Sequence, residues 1–159
     1  MIQYKIADRE DIAELMRLRL AMLREVNDLP EDYTFTEDFC ACSREYFLNG
    51  NQTTVLAVDE EAEEDGKDGK NVGCATLCYM ELMPTFSHPT GKRAHLMNVY
   101  TAPAYRGRGI ARRMVASLIE EARRRGVTEI SLDATASGRP LYRKLGFCDS
   151  EECMVLVLE

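Results

Sequence analysis

The residues whose types and spacing could do chemistry lie in Thr101–Met114, TAPAYRGRGIARRM. Gly107 and Gly109 stand between an apolar run closed by Ala102-Pro103 and a helical stripe of Ile110, Met114, Val115, Leu118, Ile119 and Ala122. The first turn of a helix leaves about four backbone N–H groups unpaired, and its dipole adds roughly half a positive charge. Glycines let a backbone approach an anion closely, and Arg106 and Arg108 add full charges. Residues 106–111 therefore read as a cradle for a pyrophosphate. The plainer alternative is an Arg/Gly-rich turn with ordinary capping. A nucleotide triphosphatase loop needs G-x-x-x-x-G-K-[ST], and no Lys-Ser or Lys-Thr follows these glycines. A dinucleotide fold needs a third glycine after its first strand, whereas this turn comes late and has Arg112 there.

Other elements must position that turn. Residues 2–6, 53–58, 72–83, 94–101, 128–133 and 152–158 read as strands from their β-branched, aromatic and apolar content. Ile12, Leu15, Met16, Leu20, Leu23 and Val26 recur at helical spacing, so 9–27 is a helix capped by Asp8, with Asp11 three residues on. Thr36 starts a second helix over 36–49. A third begins near Gly109 and ends in Arg123–Arg125 and Gly126, where cations suit the dipole and glycine the left-handed cap. Ser137 could cap a short fourth helix over 138–145. The order β-α-α-β-β-β-α-β-α-β gives an α/β fold with helices on both faces of one sheet, antiparallel in the middle and parallel at the later strand-helix-strand step.

A chain of 159 residues is one domain, 1–159, and can bury a core without metal or disulfide. Residues 59–71 hold seven acids against two lysines and read as a solvated acidic hairpin loop. Residues 104–126 hold seven arginines against two glutamates, one compact basic segment in a chain of net charge −7. That balance argues against nucleic acid and suits a small phosphorylated ligand. The six cysteines form no C-x-x-C pair and the two histidines no zinc pattern, so no metal is expected. No apolar run approaches a membrane span and no secretory signal opens the chain, which makes a cytoplasmic protein the expectation.

Arg106-Gly107-Arg108-Gly109-Ile110-Ala111 resembles motif A, R/Q-x-x-G-x-G/A, of the GCN5-related N-acetyltransferase (GNAT) family. Asn98–Pro103 is similar to that family's fourth core strand and its proline stop, and Gly138–Phe147 resembles its motif B. The order of elements matches over essentially the whole chain.

The resemblance implies a mainly antiparallel sheet of six to seven strands and an acyl-CoA co-substrate, acetyl-CoA or another acyl-CoA. Its pyrophosphate would sit on the backbone of Arg106 to Ala111 (Arg106, Gly107, Arg108, Gly109, Ile110, Ala111). Its pantetheine arm would pair with Val99, Tyr100 and Thr101 as an added strand, and the N–H of Val99 or Tyr100 would polarise the thioester carbonyl. Tyr142 matches the tyrosine often used as general acid, although a tyrosine there could simply be packed. Thr135 stands where many members carry a cofactor-contacting Asn, and Ser137 and Arg139 are further candidates near the arm. Glu81 is a candidate base through a water, with His95 and Asp133 as alternatives. Asp28, Tyr33 and Phe35 give the 27–36 loop an acidic, aromatic character suited to a cationic amine; the 84–93 loop would close the site's other side. The acceptor would be a small-molecule or peptide amine, attacked directly in a ternary complex. Dimers are common in the family. The alternative is an acyl-CoA-binding module without turnover.

Overall fold

The computed structural model describes residues 1–64 and 66–158; Asp65 and Glu159, which fall within the expected acidic loop and the expected domain, lie outside them. One five-stranded sheet runs in the order β1 (Ile2–Ile6), β2 (Gln52–Glu64), β3 (Lys67–Glu81), β4 (Lys92–Thr101), β5 (Glu129–Leu132). All pairings are antiparallel except the parallel β4–β5 pair. Two helices, α1 (Ile12–Val26) and α2 (Glu37–Asn49), precede β2; α3 (Ile110–Arg124) joins β4 to β5; and α4 (Arg139–Lys144) follows β5.

The core has two layers. Val55, Ala57, Val72, Ala75, Leu77, Ala94 and Leu96 point from one sheet face onto Ile110, Met114, Val115, Leu118 and Ala122 of α3. Leu56 and Cys74 point from the other face onto Leu15 and Leu18 of α1. The alternation along β2 and β3 that sends neighbours to opposite layers is the period-two geometry of a strand covered on both faces. Asp8 caps the entry to α1: its carboxylate accepts from the Glu10 N–H (2.9 Å) and its own N–H donates to Asp11 (3.0 Å). The first turn, Arg9–Asp11, is a 3-10 turn, so α1 itself starts at Ile12.

Three expectations are corrected. The acidic segment 59–71 is largely ladder rather than loop: β2 runs to Glu64 and β3 starts at Lys67, with Asp59 opposite Lys70. A charged run can stay in a ribbon where opposite charges face across it. The segment 152–158 pairs with no strand, which leaves five strands instead of six to seven and the outer edge of β5 free. Gly138, not Ser137, is the N-cap of α4, and the Oγ1 of Thr135 accepts the Gly138 N–H at 3.2 Å.

One irregularity shapes the sheet's middle. Between the Thr76–Met97 and Cys74–Tyr100 pairs, β4 uses three steps where β3 uses two, so β4 carries an extra residue. Asn98 takes it up with φ 57° and is buried. Its Nδ2 donates to Thr76 Oγ1 (3.4 Å) and toward Cys74 Sγ (3.6 Å), while its carbonyl accepts from the Cys74 thiol (3.4 Å). Asparagine tolerates the left-handed region better than other side chains except glycine. Asn98→Ala loses both the tolerance and the side-chain bonds, so thermal unfolding should show a loss of about 2–3 kcal/mol. Asn98→Gly keeps the backbone conformation and should lose about half as much; equal losses for the two would show that φ at this position is immaterial.

Candidate active site

β4 and β5 are paired only from Arg93–Glu129 to Leu96–Leu132. Beyond Leu96 the two strands part, so the β5-facing edge of Met97–Thr101 has no strand partner. Parting parallel strands leave a slot with main-chain donors and acceptors on one wall. Val99 packs on the α3-side core, Tyr100 lies against the α1 side, and Thr101 is buried with its hydroxyl unpaired. Burial pushes the Tyr100 phenol above its ordinary range.

The chain then turns through Pro103–Tyr105 into α3. Gly107 (φ 76°) and Gly109 (φ 77°) both take left-handed conformations, and a Cβ at either would meet nothing within 4 Å. Glycine is therefore needed there for its backbone freedom, and the turn faces open space. Gly109 is the N-cap and brings no side-chain acceptor to the α3 amides. The first turn, Ile110 to Arg112, thus presents uncapped N–H groups at the mouth of the slot.

The two arginines of the turn do other work than expected. Arg106 donates from Nε to the Thr101 carbonyl (2.9 Å), pairs with Glu25 at the end of α1 (2.7 Å) and lies over the Tyr100 ring. It is a strut between α1, β4 and the turn. Arg108 folds back over the Tyr105 ring and donates to the Ala104 carbonyl (3.3 Å). Tyr105 in turn donates to Asp59 (3.0 Å). The anion-attracting character of the turn rests first on its amides.

The slot's other wall continues from β5 through residues 133–138 into α4. Thr135 is occupied with Gly138 and with Ser137 (3.2 Å), so its hydroxyl organises the turn. Arg139 and Arg143 both pair with Asp149, and the two guanidiniums hold that carboxyl below its ordinary range. Tyr142 is half-buried, edge-on to Phe147 at 5.8 Å. Its hydroxyl has no hydrogen-bond partner among the described residues, and burial holds its phenol above 10.

Glu81 is not brought to this slot. It lies opposite Lys92 at the start of β4, five residues and about 17 Å of strand from Met97. The 84–93 loop shares that far end, where His88 meets Thr128 (2.8 Å) and Glu129 (3.1 Å). His95 is nearer, two residues before Met97; its Nδ1 meets Ser131 Oγ (2.7 Å) and its Nε2 lies 3.5 Å from Asp133. On the 27–36 loop, Phe35 stacks on Phe39 (5.3 Å) and lies under Arg24, whose guanidinium also donates to the Tyr33 carbonyl. Asp28 (φ 52°) and Tyr33 remain exposed beside it.

Sequence reasoning missed two residues. Asn98 is one; an asparagine inside an apolar strand was the available signal. Arg19 is the other, a cation at helical spacing within the buried stripe of Leu15, Leu18 and Met22. Its guanidinium reaches Asn98 Oδ1 at 3.4 Å and has no carboxylate partner among the described residues; burial lowers its pKa. Among those residues no group of three or more His, Cys, Asp or Glu could hold a metal ion.

The family model for the acetyltransferase (GNAT) family matches residues 14–147. A probable glucosamine 6-phosphate N-acetyltransferase 2 of Oryza sativa subsp. japonica is 30% identical over 130 residues, 82% of this chain and 74% of that protein. A glucosamine 6-phosphate N-acetyltransferase of Trypanosoma brucei brucei is 33% identical over 90 residues; the match spans 57% of this chain and 59% of that protein's length. In three dimensions the chain is similar to a "predicted acetyltransferase with acetyl-CoA" from Clostridium acetobutylicum, with a TM-score of 0.81, 29% identity, and coverage of 99% of this chain and 96% of that one. The slot beside β4 and the uncapped turn are thus the site of an acyl-transfer fold. The chain belongs to the GNAT family and is an N-acetyltransferase, of a family that uses acetyl-CoA.

The thiol that supports the β4 irregularity supplies a direct check. Burial pushes Cys74 up to about 12, from an ordinary 9.0. The folded state holds that proton more tightly, so its contribution to stability is complete below pH 9 and declines as pH rises from there toward 12. A thiol reagent should label the exposed Cys42, Cys148 and Cys153 in the native protein and Cys74 only on unfolding; fast native labelling of Cys74 would contradict the packing described.

Proposed function

We propose that the protein moves an acetyl group from acetyl-CoA to the primary amine of a small anionic acceptor, with amino-sugar phosphates such as glucosamine 6-phosphate the first class to test. The observation that carries this reading is Arg19. A half-buried guanidinium without a carboxylate is costly to keep, and an anionic ligand offsets that cost. Arg19 stands at Asn98, where β4 leaves β5, so an acceptor held by its anionic group there has its amine beside the slot. The names of the two relatives point to the same chemistry. The acidic 27–36 loop, with Asp28 and Tyr33 open to solvent, supplies negative potential for the ammonium.

Within the slot, the backbone of Val99, Tyr100 and Thr101 binds the pantetheine arm as an added strand, and the amides from Gly107 to Ala111 bind the pyrophosphate. These two features fit the ligand: an edge without a partner, and a helix start without a cap. Acetyl-CoA brings the reactive thioester. His95, braced by Ser131 and Asp133, takes the place proposed for Glu81 as acceptor of the amine's proton. The Tyr142 hydroxyl, unpartnered and kept protonated by burial, gives a proton to the departing sulfur.

Thiol release with glucosamine 6-phosphate, glucosamine and a polyamine tests the reading. We expect the phosphorylated sugar to be favoured in kcat/KM, and Arg19→Met to raise its KM about tenfold or more while leaving glucosamine unchanged. Equal kcat/KM for the two sugars would remove the anionic acceptor from the account. For Tyr142→Phe, kcat should fall about 100-fold with little change in acetyl-CoA affinity. Because the phenol's pKa lies above 10, its ionisation should depress wild-type kcat only above pH 10. Wild-type kcat in Tyr142→Phe would end the general-acid assignment.

A further inference from the structure

The last apolar run of the chain is not covered by the fold that carries it. Met154, Val155, Leu156, Val157 and Leu158 are each 81–95% exposed. A segment apolar at both odd and even positions is the pattern of a strand buried on both faces. Monomers rarely leave so large a contiguous apolar surface open.

A matching edge exists. β5 pairs with β4 on one side only, so its outer row of backbone groups is free. Beside that edge runs a groove of about 420 Å³ whose apolar lining includes Ile119, Val127, Ile130, Leu145 and Phe147. Arg123 stands on the groove, and Glu151 and Glu152 lead into the apolar run, so the charges complement one another. The groove can cover one face of an added strand. The opposite face would continue the side of β5 that carries Glu129 and Ser131, both exposed, and one copy has no apolar cover there. The route out of the groove is fixed: Asp149 is clasped by Arg139 and Arg143, and the chain beyond it runs free.

We propose that residues 153–158 of one copy add to the β5 edge of a second copy, reciprocally, to form a twofold dimer. A self-complementary patch is what such symmetry requires, and the paired segments supply the second cover for one another. With about 100 Å² of apolar area per side chain and an equal area on each acceptor, two exchanged segments bury on the order of 2,000 Å², enough for a stable dimer.

Light scattering on the purified chain should give twice the 18.0 kDa chain mass. A benzophenone amino acid replacing Leu156, in isotopically heavy and light copies unfolded and refolded together, should cross-link peptides of opposite label, joining the terminal segment to β5 or to Leu145–Phe147. Leu156→Asp should be monomeric with unchanged helix content. A single-chain mass at every concentration overturns the proposal. So do cross-links confined to one label, or a Leu156→Asp protein that remains dimeric. If Leu156→Asp does not fold, the cross-linking result decides alone.

Discussion

The structure depends on the parting of β4 from β5. Two parallel strands gain by pairing along their full length, and here they stop at Leu96–Leu132. The cause lies on the opposite edge of β4, where the extra residue bends the strand. Asn98 holds that bend from a conformation few residues tolerate, secured by Cys74, Thr76 and Arg19. A buried polar cluster is a costly way to build a core unless every member is paired. Here the cluster keeps a sheet edge open that would otherwise close. The open edge is a main-chain binding surface, and it lies next to the one cation of the α1 stripe.

The turn into α3 is built on the same logic. Arg106 ties α1 to the end of β4, which fixes where the glycine turn begins. The glycines leave the helix start bare. Open edge and bare helix end are successive along the chain, so one extended ligand with a polar arm and an anionic end fits both. Tyr142 approaches from the β5 side and supplies a proton where the backbone cannot.

Much of this was legible in the residues. The glycine–arginine turn, the stripe of α3 and the caps at Asp8 and Thr36 are local signals, and local physics decides them. The motif pair that marks the family rests on the same short segments. What escaped was decided by tertiary context. Glu81 looked usable because it ends a strand near a loop, but register places it opposite Lys92, at the wrong end of the sheet. Arg106 looked like a phosphate ligand because charge is visible in sequence and its partner Glu25, 81 residues away, is not. The strand pattern of 152–158 was read correctly as apolar on both faces, but its partner does not lie within the described chain.

The central claim is that the unpaired edge of β4 and the start of α3 bind one ligand together. Amide hydrogen exchange with and without saturating acetyl-CoA tests it most directly. The account predicts slowed exchange in two stretches at once, Val99–Thr101 and Gly107–Arg112, with β1 unchanged. Protection elsewhere, or in neither stretch while acetyl-CoA is bound, would contradict it.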